Sequence, residues 1–100
     1  MSDEPHALLF RPEVEDDLRG FGKRDRRRLL KILMERLRSH PDQYGKALGG
    51  SLRGLRRIPT GEYRIAYQVQ PGRVIVWAIK HRKDVYQELE RRFGRDKPAR

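Results

Sequence analysis

The sequence contains no cysteine, which rules out a disulfide framework and thiolate metal sites. Its histidines, His6, His40 and His81, lie far apart, and no HxxxH or HExxH spacing exists. A metal site is therefore not expected, and no cofactor motif suggests one. Long apolar runs are missing too. The longest, Val74 to Ile79, is much too short to span a bilayer. The opening "MSDEPH" lacks the basic-then-apolar form of a signal peptide, so a cytoplasmic location is expected. Acids are scarce in one place above all. Between Gly45 and Lys83 there are nine Lys or Arg residues and a single acid, Glu62.

That local scarcity gives meaning to the overall charge. The chain carries 24 Lys and Arg against 14 Asp and Glu, a formal net charge of +10. The acids gather instead near the start, in "RPEVEDDLR". Segregated positive charge is the electrostatic footprint of a polyanionic partner such as RNA, DNA or the ribosome. An acidic partner protein could also mask this face, without excluding nucleic acid. One hundred residues are expected to form one domain, 1–100, with a core from about 7 to 93 and frayed ends at 1–6 and 94–100.

The periodicities predict strand, helix, helix, three strands, helix. "HALLFRP" reads as a short strand, Ala7 to Arg11. Pro12 suits the first turn of a helix, and Glu13 to Asp17 suit its positive N-terminal end. Gly20 stops that helix. In "KRDRRRLLKILMERLRSHP", Leu29, Leu30, Leu33, Met34 and Leu37 recur with helical period and are expected in the core. The "RDRRR" run reads as a solvated face that could also touch phosphate. "DQYGKALGGSLRG" lacks the order of a phosphate-cradling P-loop and reads as a flexible loop carrying Lys46 and Arg53 over a sheet. "GLRRIP" is a short strand.

The next strand, "EYRIAYQV", alternates, with Tyr63, Ile65, Tyr67 and Val69 on one face. "RVIVWAIK", after the "QPGR" turn, is apolar on both faces, as in a strand covered on both sides. Trp77 within it reads as core. In the final helix Val85, Tyr86, Leu89 and Phe93 share a stripe, and Gly94 is read as the cap. The fold class expected is α+β, a small, mainly antiparallel sheet with an N-terminal helical hairpin packed on one face.

The cations then fall at telling places. Arg64 stands opposite the apolar face of its strand, where a guanidinium can clamp a phosphate in bidentate fashion. The apolar run ends abruptly in Lys80, His81, Arg82 and Lys83. A simple two-residue turn would put His81 on the face of Arg64 and aim Arg82 at the helices. A one-residue bulge would reverse this. In either register Arg64 and the strand exit meet in space, with Arg57 near the same end. Arginine is a poor base at neutral pH, so His81 is the natural proton acceptor, unless it merely bonds a backbone carbonyl. Tyr86 belongs either to the site or to the core.

The ordered set "GKALGGSLRGLRRIPTGEYRIAYQV…VIVWAIKHRKDVY", preceded by "FRPEVEDDLRGF", resembles the RelE branch of the RelE/ParE toxin superfamily. Each short motif is weak alone, and the set in one order is specific. The resemblance covers about Leu9 to Tyr86. It implies a toxin that cuts messenger RNA on the ribosome and is held inactive by a cognate antitoxin protein covering the basic face. Arg64 of "YR" matches the family's phosphate-stabilising arginine. Arg82 of "HRKDVY" matches a second arginine, and Tyr86 matches a tyrosine that orients the nucleotide or stacks on it. Arg57 falls where a basic residue acts with these.

The sequence departs from the pattern at Pro59 and at Gly49, where basic residues are common, and Arg56 or Arg53 could substitute. The expected catalytic set is thus Arg57, Arg64, His81, Arg82 and Tyr86. Lys46, Arg53, Arg56, Lys80 and Lys83 are expected to bind substrate. A ParE-like DNA gyrase inhibitor without nuclease activity, or an inactive RNA-binding relative, would share the same scaffold.

Overall fold

The computed structural model describes residues 5–95. In chain order it contains β1 (Ala7–Phe10), α1 (Glu13–Arg19), α2 (Lys23–Ile32), β2 (Lys46–Ala47), β3 (Arg56–Thr60), β4 (Tyr63–Gln70), β5 (Arg73–His81) and α3 (Val85–Arg95). A π-helical turn, Leu33–Leu37, continues α2, and a 3-10 turn, Gly50–Leu52, follows β2. The strands form one sheet in the order β1-β5-β4-β3-β2. The architecture is α+β, as the sequence predicts.

Two details differ from expectation. β1 joins the sheet parallel to β5, so the sheet is mixed at that edge. The glycine-rich segment is not simply a loop: Lys46 and Ala47 pair antiparallel with Arg57 and Arg56 and add a fifth strand. Gly45 makes that pairing fit. Its φ is +75°, and a Cβ there would lie 2.5 Å from Arg57 O and 2.7 Å from Tyr67 Oη. Only glycine tolerates both demands.

Each face of the sheet carries its own core. Leu29, Leu33 and Leu37 from the hairpin pack with Val14 of α1 on Ile58, Ile65, Tyr67, Val74, Val76 and Ile79. On the opposite face Val85, Leu89 and Phe93 of α3 pack on Ala66, Trp77 and Ala78, with Leu52 and Leu55 closing the side. The expected helical stripe is narrower than the sequence suggested. Leu30 and Met34 are 58% and 50% exposed, because each sits one residue, about 100°, away from the Leu29–Leu33–Leu37 seam. Tyr86 also leaves its expected stripe and is 40% exposed.

α3 runs through Gly94 to Arg95, so Gly94 is not its cap. Of the ends expected to fray, residues 1–4 and 96–100 lie outside the described residues. His6 is held: its N–H donates to Arg38 O at 2.7 Å. Among the described residues, no helix is long and apolar enough to cross a membrane.

Candidate active site

The site is built by one irregularity. β4 and β5 pair as Tyr63 with His81, Arg64 with Lys80, Ile65 with Ile79 and Ala66 with Ala78, and then as Tyr67 with Val76. Trp77 is therefore an extra residue on β5, a bulge. Its side chain explains why the bulge persists. The indole meets Phe93 edge-on at 4.9 Å, Nε1 donates to Gln68 at 3.3 Å, and the Arg11 guanidinium lies 4.6 Å over the ring.

The bulge settles which residues share a face. Ala66 and Ala78 face α3, so the next rung outward, Arg64 and Lys80, stands on that same side. One rung further, the Arg82 N–H donates to Glu62 O at 2.8 Å, and Arg82 Nε meets Glu62 Oε2 at 2.7 Å. Arg57 pairs with Ala66 and is thus a diagonal neighbour of Arg64, with Lys46 across from Arg57 on the edge strand. Lys46, Arg57, Arg64, Lys80 and Arg82 form a set of cations on one side of the sheet, beside the first turn of α3. Exposed Tyr86 belongs to that turn.

Present contacts hold these cations in part. Arg64 Nη1 donates to Gly61 O and Tyr63 O at 3.1 and 2.9 Å, which folds it against the β3–β4 turn. Lys80 Nζ lies 3.6 Å from buried Asp17 Oδ1. The hydrogen bond and charge of Arg82 hold the Glu62 carboxyl below the usual carboxylate range. Pro59 pairs directly with Arg64, so a basic residue at position 59 would have added its charge at the centre of the set.

Other expected residues lie elsewhere. His81 pairs with Tyr63, on the hairpin side, with the two rings 5.8 Å apart. Its Nδ1 accepts the Lys83 N–H at 3.1 Å, which in the neutral ring leaves Nε2 as a donor. The structure therefore does not bring a basic imidazole nitrogen to the arginines. Arg56 faces the hairpin side with Tyr67 and bonds Tyr44 O and Gly45 O at 3.2 and 3.1 Å. Arg56 thus pins the β2 turn. Arg53 and Lys83 are exposed at the margins. Among the described residues, no group of three or more His, Asp or Glu is placed to hold a metal ion.

A profile described as the ParE toxin of type II toxin–antitoxin systems, parDE, matches residues 8–86. This chain belongs to the ParE toxin family. Solved structures place the toxin's fold within the wider RelE/ParE superfamily. The isolated E. coli RelE toxin is 28% identical with a TM-score of 0.64, over 88% of this chain and 98% of that one. The RelBE2 toxin–antitoxin complex of Mycobacterium tuberculosis reaches a TM-score of 0.74 at 24% identity, over 83% of this chain and 98% of that one. A RelB–RelE complex from Methanococcus jannaschii matches at a TM-score of 0.60 and 24% identity, over 79% and 95%. No curated protein matches by sequence.

The toxin also has a supporting clasp that sequence reasoning missed. Arg92 on α3 forks onto Asp17 of α1, Nη1 to Oδ2 at 2.8 Å and Nη2 to Oδ1 at 2.9 Å. Arg92 Nη1 also reaches Trp77 O at 3.1 Å, and Asp17 Oδ2 accepts the Ile79 N–H at 3.0 Å. β1 pairs with β5 only as far as Val76, so Asp17 and Arg92 take up backbone groups at 77–79 that β1 leaves open. Burial pushes Asp17 up, but the bonds from Arg92 and Ile79 and the charges of Arg92 and Lys80 outweigh it and hold the carboxyl below its ordinary value. The signal was present in the sequence. Asp17 follows Val14 by three residues and Arg92 follows Leu89 by three, so each lies on the buried stripe of its helix.

Proposed function

We propose that this toxin is an endoribonuclease that cuts messenger RNA on the ribosome. The observation that carries the reading is the Trp77 bulge, which brings Lys80 and Arg82 to the side of the sheet that carries Arg57 and Arg64. RNA supplies its own nucleophile. The 2′-hydroxyl gives its proton to solvent as its oxygen bonds to the adjacent phosphorus, the bond from phosphorus to the 5′-oxygen breaks, a 2′,3′-cyclic phosphate remains, and the departing 5′-oxygen takes a proton from solvent. What a protein must add is alignment of that attack and stabilisation of charge on the phosphorane. Fixed cations give the second, which commonly contributes more to catalysis than any other single effect.

In this reading Arg64 and Arg82 hold the reacting phosphate, with Arg57 and Lys80 beside them. The exposed ring of Tyr86 stacks on a base next to the scissile linkage. Lys46, Arg53 and Lys83 extend the contact to neighbouring phosphates. His81 acts as a positioning residue, fixing the strand exit through its bond to the Lys83 N–H. A cognate antitoxin covers the same cations in the inactive complex, in the cytoplasm. The ParE family match favours a second reading, in which the toxin poisons DNA gyrase without cutting anything.

The test adds the purified toxin to a translating extract and maps 5′ ends on the message. Codon-phased cuts that fall at least about 10²-fold in the Arg64→Ala/Arg82→Ala variant are expected. Intact message with inhibited supercoiling would replace this reading by the second one.

A further inference from the structure

One buried carboxylate is shared between the scaffold and the cation set. The oxygens of Asp17 are almost fully engaged: Oδ2 accepts the Ile79 N–H and Arg92 Nη1, and Oδ1 accepts Arg92 Nη2. The lone pair left on Oδ1 is within reach of Lys80, whose Nζ stands 3.6 Å away. That is a charge contact, longer than a hydrogen bond. The Lys80 side chain is still 35% exposed, whereas that of Asp17 is 1% exposed. An ammonium has three donors, so Lys80 can turn one N–H to Asp17 and keep the others for a guest outside. The remaining lysines of the site differ. Lys46 and Lys83 are exposed, and their ammonium groups make no hydrogen bond or ion pair among the described residues. Without an anchor, a flexible four-carbon stem beside Arg64 and Arg82 would be free to swing its charge out into water.

We infer that Asp17 is a positioning residue for RNA binding: it anchors Lys80, so that the ammonium is already in place when a phosphate arrives on the rung of Arg64. The inference rests on the phosphate-binding part of the nuclease reading and deepens it. Asp17 itself touches no substrate. Its carboxylate is fixed by α3 and by the β5 backbone, so the stiffness of the clasp passes to a side chain that is otherwise highly flexible. Ordering a long side chain at the moment of binding costs affinity, and a side chain ordered beforehand avoids that loss. The Arg92 pairing has a second effect. It already balances the Asp17 charge, so Asp17 holds Lys80 without cancelling it, and the ammonium keeps its attraction for phosphate. The Glu62–Arg82 pair is of another kind, because there an exposed carboxylate has a single ion-pair partner.

The experiment measures, by fluorescence anisotropy, how the full-length toxin binds a short RNA that is 2′-O-methylated throughout and so cannot be cut. It is run in the cold, with the folded fraction of each variant checked by circular dichroism. Lys80→Met weakens binding by roughly tenfold or more. Asp17→Asn weakens it by about three- to tenfold. The double variant binds no more weakly than Lys80→Met alone, since Asp17 acts through Lys80. A merely structural role for Asp17 would instead give the same loss in both backgrounds. Should Asp17→Asn not fold, the native toxin still decides: NMR relaxation shows the end of the Lys80 side chain more ordered than those of Lys46 and Lys83. Equal mobility of the three lysines, additive losses, a rise in affinity in Asp17→Asn, or no loss in Lys80→Met overturns the inference. The two readings fail separately. Coupled losses with the message left intact in a translating extract remove the nuclease and keep the anchor, whereas cleavage with additive losses does the reverse.

Discussion

Replacing Asp17 by asparagine tests whether the clasp between α1, β5 and α3 holds the site together. The carboxylate and the guanidinium are 1% and 5% exposed, so water cannot repair what the substitution removes. Asparagine keeps one oxygen for the Ile79 N–H but loses the charge and half of the fork. Arg92 then keeps Glu88 Oε2, 3.0 Å from its Nε, and Trp77 O as acceptors but loses the buried carboxylate it forks onto, and breaking a buried pair costs about 3–5 kcal/mol in comparable sites. Domains of this size hold a total of roughly 5–15 kcal/mol. At about 4–8 °C per kcal/mol, the melting midpoint falls by at least about 12 °C.

Circular dichroism on heating reads this directly. The double variant Asp17→Leu/Arg92→Met removes both charges and recovers part of the loss, short of it by the orphaned Ile79 N–H and Trp77 O. The acid limb supplies an independent check. The folded pKa of Asp17 lies below its ordinary value of 3.8, so the group adds stability above that pH and loses it as pH falls through the folded value. Glu88, lowered by its bonds to Arg91 and Arg92, steepens the same limb. Asp17→Asn therefore flattens the pH dependence below about pH 4. A midpoint shift under about 4 °C, or a double variant no better than the worse single one, would refute the reasoning.

Glu62→Gln leaves the melting temperature essentially unchanged, because the Glu62–Arg82 pair is exposed, but it frees Arg82. Affinity for a short RNA, measured by fluorescence anisotropy, is expected to rise, and a fall would count against Arg82 as a phosphate ligand. Gly45→Ala forces a side chain into a left-handed residue against Arg57 O and Tyr67 Oη, and should cost roughly 2–4 kcal/mol in urea unfolding.

Much of the fold was legible because period and punctuation agree. The alternation of Tyr63 to Val69, the seam of Leu29, Leu33 and Leu37, and the stops at Gly20 and Pro41 all point one way. The site was legible only to the level of which segments meet. Whether His81 or Arg82 joins Arg64 turns on a single extra residue, and nothing local distinguishes Trp77 in register from Trp77 in a bulge. Its partners Phe93, Gln68 and Arg11 are remote in sequence. The clasp was hidden for a different reason. Charged residues on apolar stripes read as interruptions until their partner is known, and Asp17 and Arg92 are 75 residues apart. Tyr86 was ambiguous because the first turn of a helix is where an apolar stripe most easily rotates out of contact.

The parallel seating of β1 against β5 has a consequence in time. Residues 7–10 can find no partner until residues 73–76 exist, and α1 is not locked until Arg92 arrives. The β4–β5 hairpin, made late, has only local loops to close and is expected to form first; the segment made earliest waits longest, against the entropy of a long closure. Synthesis and assembly thus run in opposite directions, so the cations of β4 and β5 meet before the first-made strand and helix are locked in place.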